Sequence, residues 1–271
     1  MIASIPTVPL LYQWIATIEI YIENGVNGMI GEKTNLLVVS AHAGDFVWRA
    51  GGTIAKYIKQ GANVHLVILS YGARGESNDL WNIQGQTMEN VKAHRKEEIM
   101  EAAGHLGVEN LEIWDLMDYH MEITPETVER MVRKIRDVRP HHIITHGPKD
   151  ALNPDHETVH RFVFDASVLS TSNGVRFEGT ETAVQASIFG FEPHQSEISD
   201  FKPEVIIDIT EVYQQKQAAM NCYKAQKHLI DYYAAKAQMR GNHARRLSGN
   251  KDYQYAEAFT RFFPYVGGEL V

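Results

Sequence analysis

Val38-Val39-Ser40-Ala41-His42-Ala43-Gly44-Asp45, followed by Arg49-Ala50-Gly51-Gly52-Thr53, is the stretch that decides the fold. Its apolar start reads as a buried parallel strand, and the strand ends in a His and an Asp three residues apart. A glycine pair and a helical pattern come next. In open α/β sheets ligands bind at the carboxyl ends of the strands, and His with a carboxylate is the ligand chemistry of zinc. By itself the pair also fits a hydrogen-bonded histidine and a helix-initiating aspartate.

Working outward, the pattern repeats. Leu36 to Ala41, Val64 to Leu69, Leu111 to Trp114 and His142 to Thr145 read as short buried strands. Helical patterns lie between them at Gly52 to Gln60, Thr87 to Leu106 and Pro125 to Val138, with Gly61 and Gly107 where C-caps belong. A helix from His156 to Ser170 follows, then strand-like Val184 to Phe191 and Val205 to Ile209, then a long helix from Glu211 to Met239. This alternation predicts a single Rossmann-like α/β domain over 34–271, with a mostly parallel sheet and helices on both faces. Residues 1–33 stand apart as an N-terminal arm. Leu10 to Ile22 has an apolar helical face, suited to packing on its own domain or on a neighbouring subunit of a homo-oligomer.

Composition narrows the classes. Of 271 residues, 44% are hydrophobic and 22% charged, the proportions of an ordinary globular protein. The net charge of −8 argues against nucleic acid or an anionic membrane as partner. One cysteine, Cys222, excludes an intrachain disulfide and a Cys-rich metal site and suits a reducing cytoplasm. No apolar run reaches the roughly 18 residues of a membrane span. Glu19 and Glu23 interrupt the early apolar stretch, so a signal peptide is not expected.

A second piece sharpens the metal reading. His142-Ile143-Ile144-Thr145-His146 reads as another strand, and Asn153-Pro154-Asp155-His156-Glu157-Thr158-Val159-His160 opens another helix. Two strand-end segments carrying His and Asp supply what a three-ligand zinc site with an open fourth position requires. Here the chain resembles the LmbE-like, or PIG-L, zinc-dependent de-N-acetylases. That family has Ala-His-Pro-Asp-Asp-Glu after its first strand and His-Pro-Asp-His after a later one. The resemblance implies one zinc per chain held by His42, Asp45 and His156. His160, one helical turn on, competes as ligand or supporting partner; His141, His142 and His146 are nearby alternatives, and Asp155 is a supporting or capping carboxylate.

The departures carry information too. Where the family has its general base, an Asp, this chain has Gly44; Ala43 and Phe46 replace the motif's Pro and Glu, and Asn153 replaces the second motif's first His. Loss of such a base costs an amidase roughly 10²–10⁴-fold in rate. The run Ala-His-x-x-Asp-Phe-Val-Trp-Arg-Ala-Gly-Gly resembles instead the 4-oxalomesaconate hydratase branch of the superfamily. So do Ser70 to Ser77, Phe191 to Gln195, Phe201 to Glu204, Lys224 to His228 and Arg240 to Arg246. That resemblance implies a hydro-lyase of aromatic catabolism that adds water to a C=C bond of a small anionic oxo-polycarboxylate. It makes Glu76 and His194 the acid/base pair. Arg49 and Arg74 flank the expected cavity and would hold substrate carboxylates, with Asn153 in the pocket and His243 and Arg245 either completing it or carrying anion binding from an adjoining subunit. The rivals are a deacetylase of an N-acetyl sugar or small amide and a metal-retaining binding module without activity. An Arg-rich pocket would speak for the hydratase, and a pocket of neutral hydrogen-bonding groups and aromatics for the deacetylase.

Overall fold

The computed structural model describes residues 33–268. All but the last residue of the arm expected over 1–33 lies outside them. Seven strands form one sheet in the order β3-β2-β1-β4-β5-β7-β6. They are β1 (Asn35–Ser40), β2 (Asn63–Ile68), β3 (Asn110–Ile113), β4 (His142–Thr145), β5 (Ser187–Phe191), β6 (Val205–Asp208) and β7 (Ala256–Arg261). Strands β1 to β5 pair in parallel, and β7 is antiparallel to both β5 and β6. The mostly parallel Rossmann-like sheet is therefore present.

Side-chain alternation along β1 explains the layering. Leu36 and Val38 face one apolar cluster; Leu37 and Val39 face the other. The first cluster is covered by α1 (Asp45–Lys59), α3 (Met88–Leu106), α6 (Tyr213–Asn221) and α7 (His228–Ser248), through residues such as Phe46, Ile54, Ile99, Met220 and Tyr233. The second is covered by α4 (Pro125–Val138) and α5 (Pro154–Ser170), through Met131, Ile135, Val159 and Phe162. A one-turn helix, α2 (Asn78–Trp81), lies between β2 and α3. Local chemistry sets several boundaries. The Thr87 and Thr124 side chains cap α3 and α4, Pro125 and Pro154 occupy first turns, and Gly107 ends α3 with φ of 81°.

Three elements differ from the sequence reading. Helix α1 starts at Asp45, seven residues before Gly52, because its first eleven residues are all buried; that burial outweighs the roughly 1 kcal/mol each of Gly51 and Gly52. The single helix expected over Glu211–Met239 is interrupted. A 3₁₀ turn at Thr210–Val212 precedes α6, and another at Lys224–Gln226 separates α6 from α7. The break contains no Gly or Pro; long-range bonds make it. Tyr223 donates its hydroxyl to the Ala43 carbonyl, Ala225 N–H donates to Glu98, and Arg95 donates to Gln226. Strand β7 was not anticipated. Buried Glu257 on it accepts from the Gly52 and Thr53 amides and from Lys216, tying β7 to α1 and α6.

Candidate metal centre and active site

Two strand ends converge on one point. After β1 the chain turns through Ala41 to Gly44, and Asp45 Oδ2 accepts the His42 backbone N–H at 2.8 Å, which fixes the turn. After β4 the chain reaches α5, where Asn153 caps the helix by accepting from the Asp155 amide and His156 occupies the first turn. His42 and His156 are fully buried. His42 Nδ1 stands 3.2 Å from His156 Nε2, 3.5 Å from Asp45 Oδ2 and 3.3 Å from Glu76 Oε1; His156 Nε2 stands 3.5 Å from Asp45 Oδ1. Ligands about 2.0–2.1 Å from a tetrahedral zinc lie about 3.3 Å from one another. The donor atoms thus have the spacing of tetrahedron edges.

Each ring's far nitrogen supports the same conclusion. His42 Nε2–H donates to Asp155 Oδ2 at 3.0 Å, and His156 Nδ1–H donates to Asp150 Oδ2 at 2.8 Å. Both rings therefore turn their remaining nitrogens toward the centre, the arrangement that orients metal-bound histidines and raises their basicity. The Asp155 carboxylate also collects the amides of Tyr119, His120 and Met121. Tyr119 and His120 have φ of 57° and 71°; left-handed backbone at non-glycine residues costs about 1 kcal/mol or more each, and the three-amide grip sustains it.

Charge points the same way. Asp45, Glu76, Asp150 and Asp155 surround the two imidazoles, with the Arg49 guanidinium as the near cation. Burial alone would lower the His42 pKa, yet the Glu76 charge and the bonds to Asp155 and Asp45 raise it well above the ordinary range. Burial likewise opposes ionisation of Asp155, but the His42 bond and the backbone amides hold its pKa near 2. This donor set, carboxylate-rich and buried, fits a divalent cation bound by His42, Asp45 and His156, with the Glu76 carboxylate beside the open fourth position.

A cavity of about 320 Å³ opens beside this centre, lined among others by Glu76, Tyr119, Asn153, His194, Gln226 and Tyr232. Gly72 makes the approach of Glu76 possible. Its φ is 63°, and a Cβ there would sit 3.3 Å from both the Glu76 and the His42 Cβ. Asn153 Nδ2 donates to Glu76 Oε1 at 3.2 Å. His194, after β5, faces Tyr233 Oη at 2.9 Å through Nδ1. Burial, helped by the Arg49 charge, lowers its pKa to about 3. The structure thus brings together His42, Asp45, His156, Glu76, Asn153 and His194.

The arginines are placed otherwise than expected. Arg49 is 4% exposed; its guanidinium meets Asp45, Asp150 and the Glu192 carbonyl behind the ligands, outside the cavity lining. Arg74 is exposed and folds back onto the Asp118 and Tyr119 carbonyls. His243 and Arg245 lie on α7, more than ten residues beyond cavity-lining Tyr232, roughly 16 Å along a helix axis. Arg245 bonds Asn242 and the Tyr253 carbonyl. Among the described residues no arginine lines this cavity, so the expected Arg-rich pocket is not found.

Position 44 is filled by a neighbour. A Cβ on Gly44 would come within 2.4 Å of Trp48 Nε1 and 3.1 Å of Gln226 Oε1. Trp48, Tyr233 and Asp150 escaped the sequence reading. For Asp150 a signal existed: a carboxylate six residues before a candidate ligand histidine. Trp48 stands in the run that resembles the hydratase branch but has no role of its own there, and Tyr233 sits in an ordinary helical pattern that gives no signal.

An α/β chain with a His/Asp/His cluster that could hold a metal ion at the carboxyl edge of its sheet has an architecture shared with metal-dependent hydrolases and lyases. The chain belongs to the PIG-L family: its GlcNAc-PI de-N-acetylase model matches residues 37–167. A 4-oxalmesaconate hydratase of Pseudomonas putida is 39% identical over 88% of this chain and 93% of that protein. The crystal structure of the 4-carboxy-2-hydroxymuconate hydratase from the same species is similar with a TM-score of 0.85 and 38% identity, over 89% of this chain and all of that one. The N,N'-diacetylchitobiose deacetylase of Pyrococcus horikoshii, at 19% identity and a TM-score of 0.72 over 95% and 94% of the chains, shares the fold.

Proposed function

We propose that this enzyme is a zinc-dependent hydratase that adds water to the C=C bond of a small oxo-polycarboxylate such as 4-oxalomesaconate. The observation that carries the reading is the 39% likeness to a hydratase over 88% of the chain. The state of position 44 supports it: the slot of the amidase base is occupied by the Trp48 indole. His42, Asp45 and His156 would hold the zinc, one per chain. Bound there, the ion would polarise a substrate oxygen and stabilise the enolate that hydration develops.

The chain's own residues do the rest. Glu76, beside His42 and steadied by Asn153, is placed to move the proton of the attacking water. His194, on the same cavity wall, meets the enol or carboxylate oxygens. With no arginine in the lining, Asn153, Gln226, Tyr119 and Tyr232 supply hydrogen bonds to substrate. Those neutral and aromatic groups favour a second reading, a deacetylase of an N-acetyl sugar or related amide. Against it stands the missing base at position 44. The acidic chain, and a pocket of this size, suit a small metabolite in the cytoplasm, handled by a homo-oligomer.

The test is an assay of enol absorbance with 4-oxalomesaconate, run beside hydrolysis of N-acetylglucosamine derivatives. Loss of absorbance at an enzymatic rate is expected; ordinary-rate amide hydrolysis without it would overturn the reading. Glu76→Gln and His194→Ala should each lower kcat by about 10²-fold or more. Their zinc content should match wild type, whereas His42→Ala should lose it.

A further inference from the structure

We infer that Tyr233 is a positioning residue that locks His194 in the tautomer carrying its proton on Nε2, so that His194 serves as a hydrogen-bond donor and leaves proton transfer to Glu76. The distance between Tyr233 Oη and His194 Nδ1 is 2.9 Å. Tyr233 is 2% exposed, and among the described residues its hydroxyl has no other hydrogen-bond partner. A buried hydroxyl that only accepted would leave its own hydrogen unspent. The phenol therefore donates, and Nδ1 is the acceptor. The other ring nitrogen of a neutral imidazole then bears the hydrogen, and His194 lines the cavity.

The surroundings hold both partners in place. The Tyr233 ring stacks on Trp48, with centroids 5.5 Å apart and planes at 19°. Trp48 in turn occupies the space that Gly44 leaves open. On the backbone side, the His194 carbonyl accepts from Lys236 Nζ at 3.1 Å and from the Tyr232 hydroxyl. Burial pushes the Tyr233 phenol far above its usual range, which keeps its proton. Burial and the Arg49 charge keep His194 neutral. A neutral imidazole cannot deprotonate water through an N–H, but it can donate to an oxygen that gains charge. Position 44 thus exchanges a base for a scaffold: Gly44 admits Trp48, Trp48 backs Tyr233, and Tyr233 fixes His194.

The role in catalysis rests on the hydratase reading; the tautomer does not. The experiment is long-range ¹H–¹⁵N correlation NMR on zinc-loaded, ¹⁵N-histidine-labelled protein, with the His194 signals identified by their loss in His194→Gln. A single Nε2–H tautomer is expected, and an Nδ1–H tautomer or an averaged signal would overturn the inference. Tyr233→Phe keeps the ring on Trp48 and removes only the donor. It should release the tautomer and lower kcat about 10-fold on whichever substrate the wild type turns over, with KM changed less than 2-fold. A variant with an unchanged tautomer and unchanged kcat would refute the assignment even if hydratase activity is confirmed. Absence of hydratase activity with the Nε2–H tautomer intact would refute the functional reading alone.

Discussion

His156 keeps one ring nitrogen on Asp150 at 2.8 Å, and Arg49 reaches the same carboxylate oxygen at 3.3 Å. The second contact matters because Asp150 would otherwise bring an uncompensated buried charge beside the ligands. The Arg49 and His156 partners hold its pKa far below the usual carboxylate range despite burial, so it remains a pure acceptor. Asp150→Asn should therefore weaken zinc binding about 10–100-fold, the usual effect of removing the carboxylate behind a metal-bound histidine. Competition with a chromophoric chelator measures it, and an affinity equal to wild type would detach Asp150 from the centre. At this scale the sequence is partly legible. A His and an Asp three residues apart at a strand end, and a His in the first turn of a later helix, are visible as spacing. That Arg49 serves the carboxylates rather than the substrate is not, because its helix face is decided by where α1 begins.

At the start of α1, Gly44 leaves room for the Trp48 side chain to fold back over the first turn. A methyl group at position 44 would need Trp48 to shift by several tenths of an ångström or more, and Trp48 rests against both Tyr223 and Tyr233. Gly44→Ala should accordingly cost about 1–3 kcal/mol by urea unfolding, as overpacked cores do, and should alter tryptophan fluorescence. Gly44→Asp should gain no strong amidase activity, since its carboxylate meets the indole and Asn153 provides no imidazole. Vigorous hydrolysis of N-acetylglucosamine derivatives by that variant would reverse the argument. The elements themselves were read well where periodicity and caps agree, as in α3, α4 and β1 to β5. They were misread where tertiary bonds decide. Nothing in Asn221-Cys222-Tyr223-Lys224 announces a helix break; Glu98 and Arg95, more than a hundred residues earlier, impose it. Strand β7 likewise depends on Glu257 finding α1 and Lys216, which no local pattern reveals.

Taken over the whole molecule, the buried histidines tie stability to acidity. His146 and His194 are both lowered to about 3, first by burial, then by neighbouring charge from His156 for His146 and Arg49 for His194. An unfolded histidine titrates near 6.5. Between those values the unfolded chain takes up protons that the native state refuses, so their stabilisation is complete above about pH 6.5 and is lost as pH falls toward 3. His42 works in the opposite sense. Its raised pKa favours the native state of the zinc-free protein below about pH 6.5 and fades as pH rises through the folded value. Between pH 6.5 and 5 the His42 contribution is therefore nearly constant. Asp155, with its pKa near 2, starts to matter only below about pH 5, where unfolded carboxylates begin to protonate. In that window the depressed histidines dominate, His146 and His194 with the largest shifts and His65, His142 and His160, lowered by burial too, with smaller ones. Zinc-free wild type should lose roughly 3 kcal/mol across it by urea denaturation. His194→Gln should lose distinctly less, because it keeps the fold's polarity while removing one of the two strongest proton sinks. Equal losses for the two proteins would show that His194 does not resist protonation in the native state, and a midpoint independent of pH over this range would show the same of both histidines.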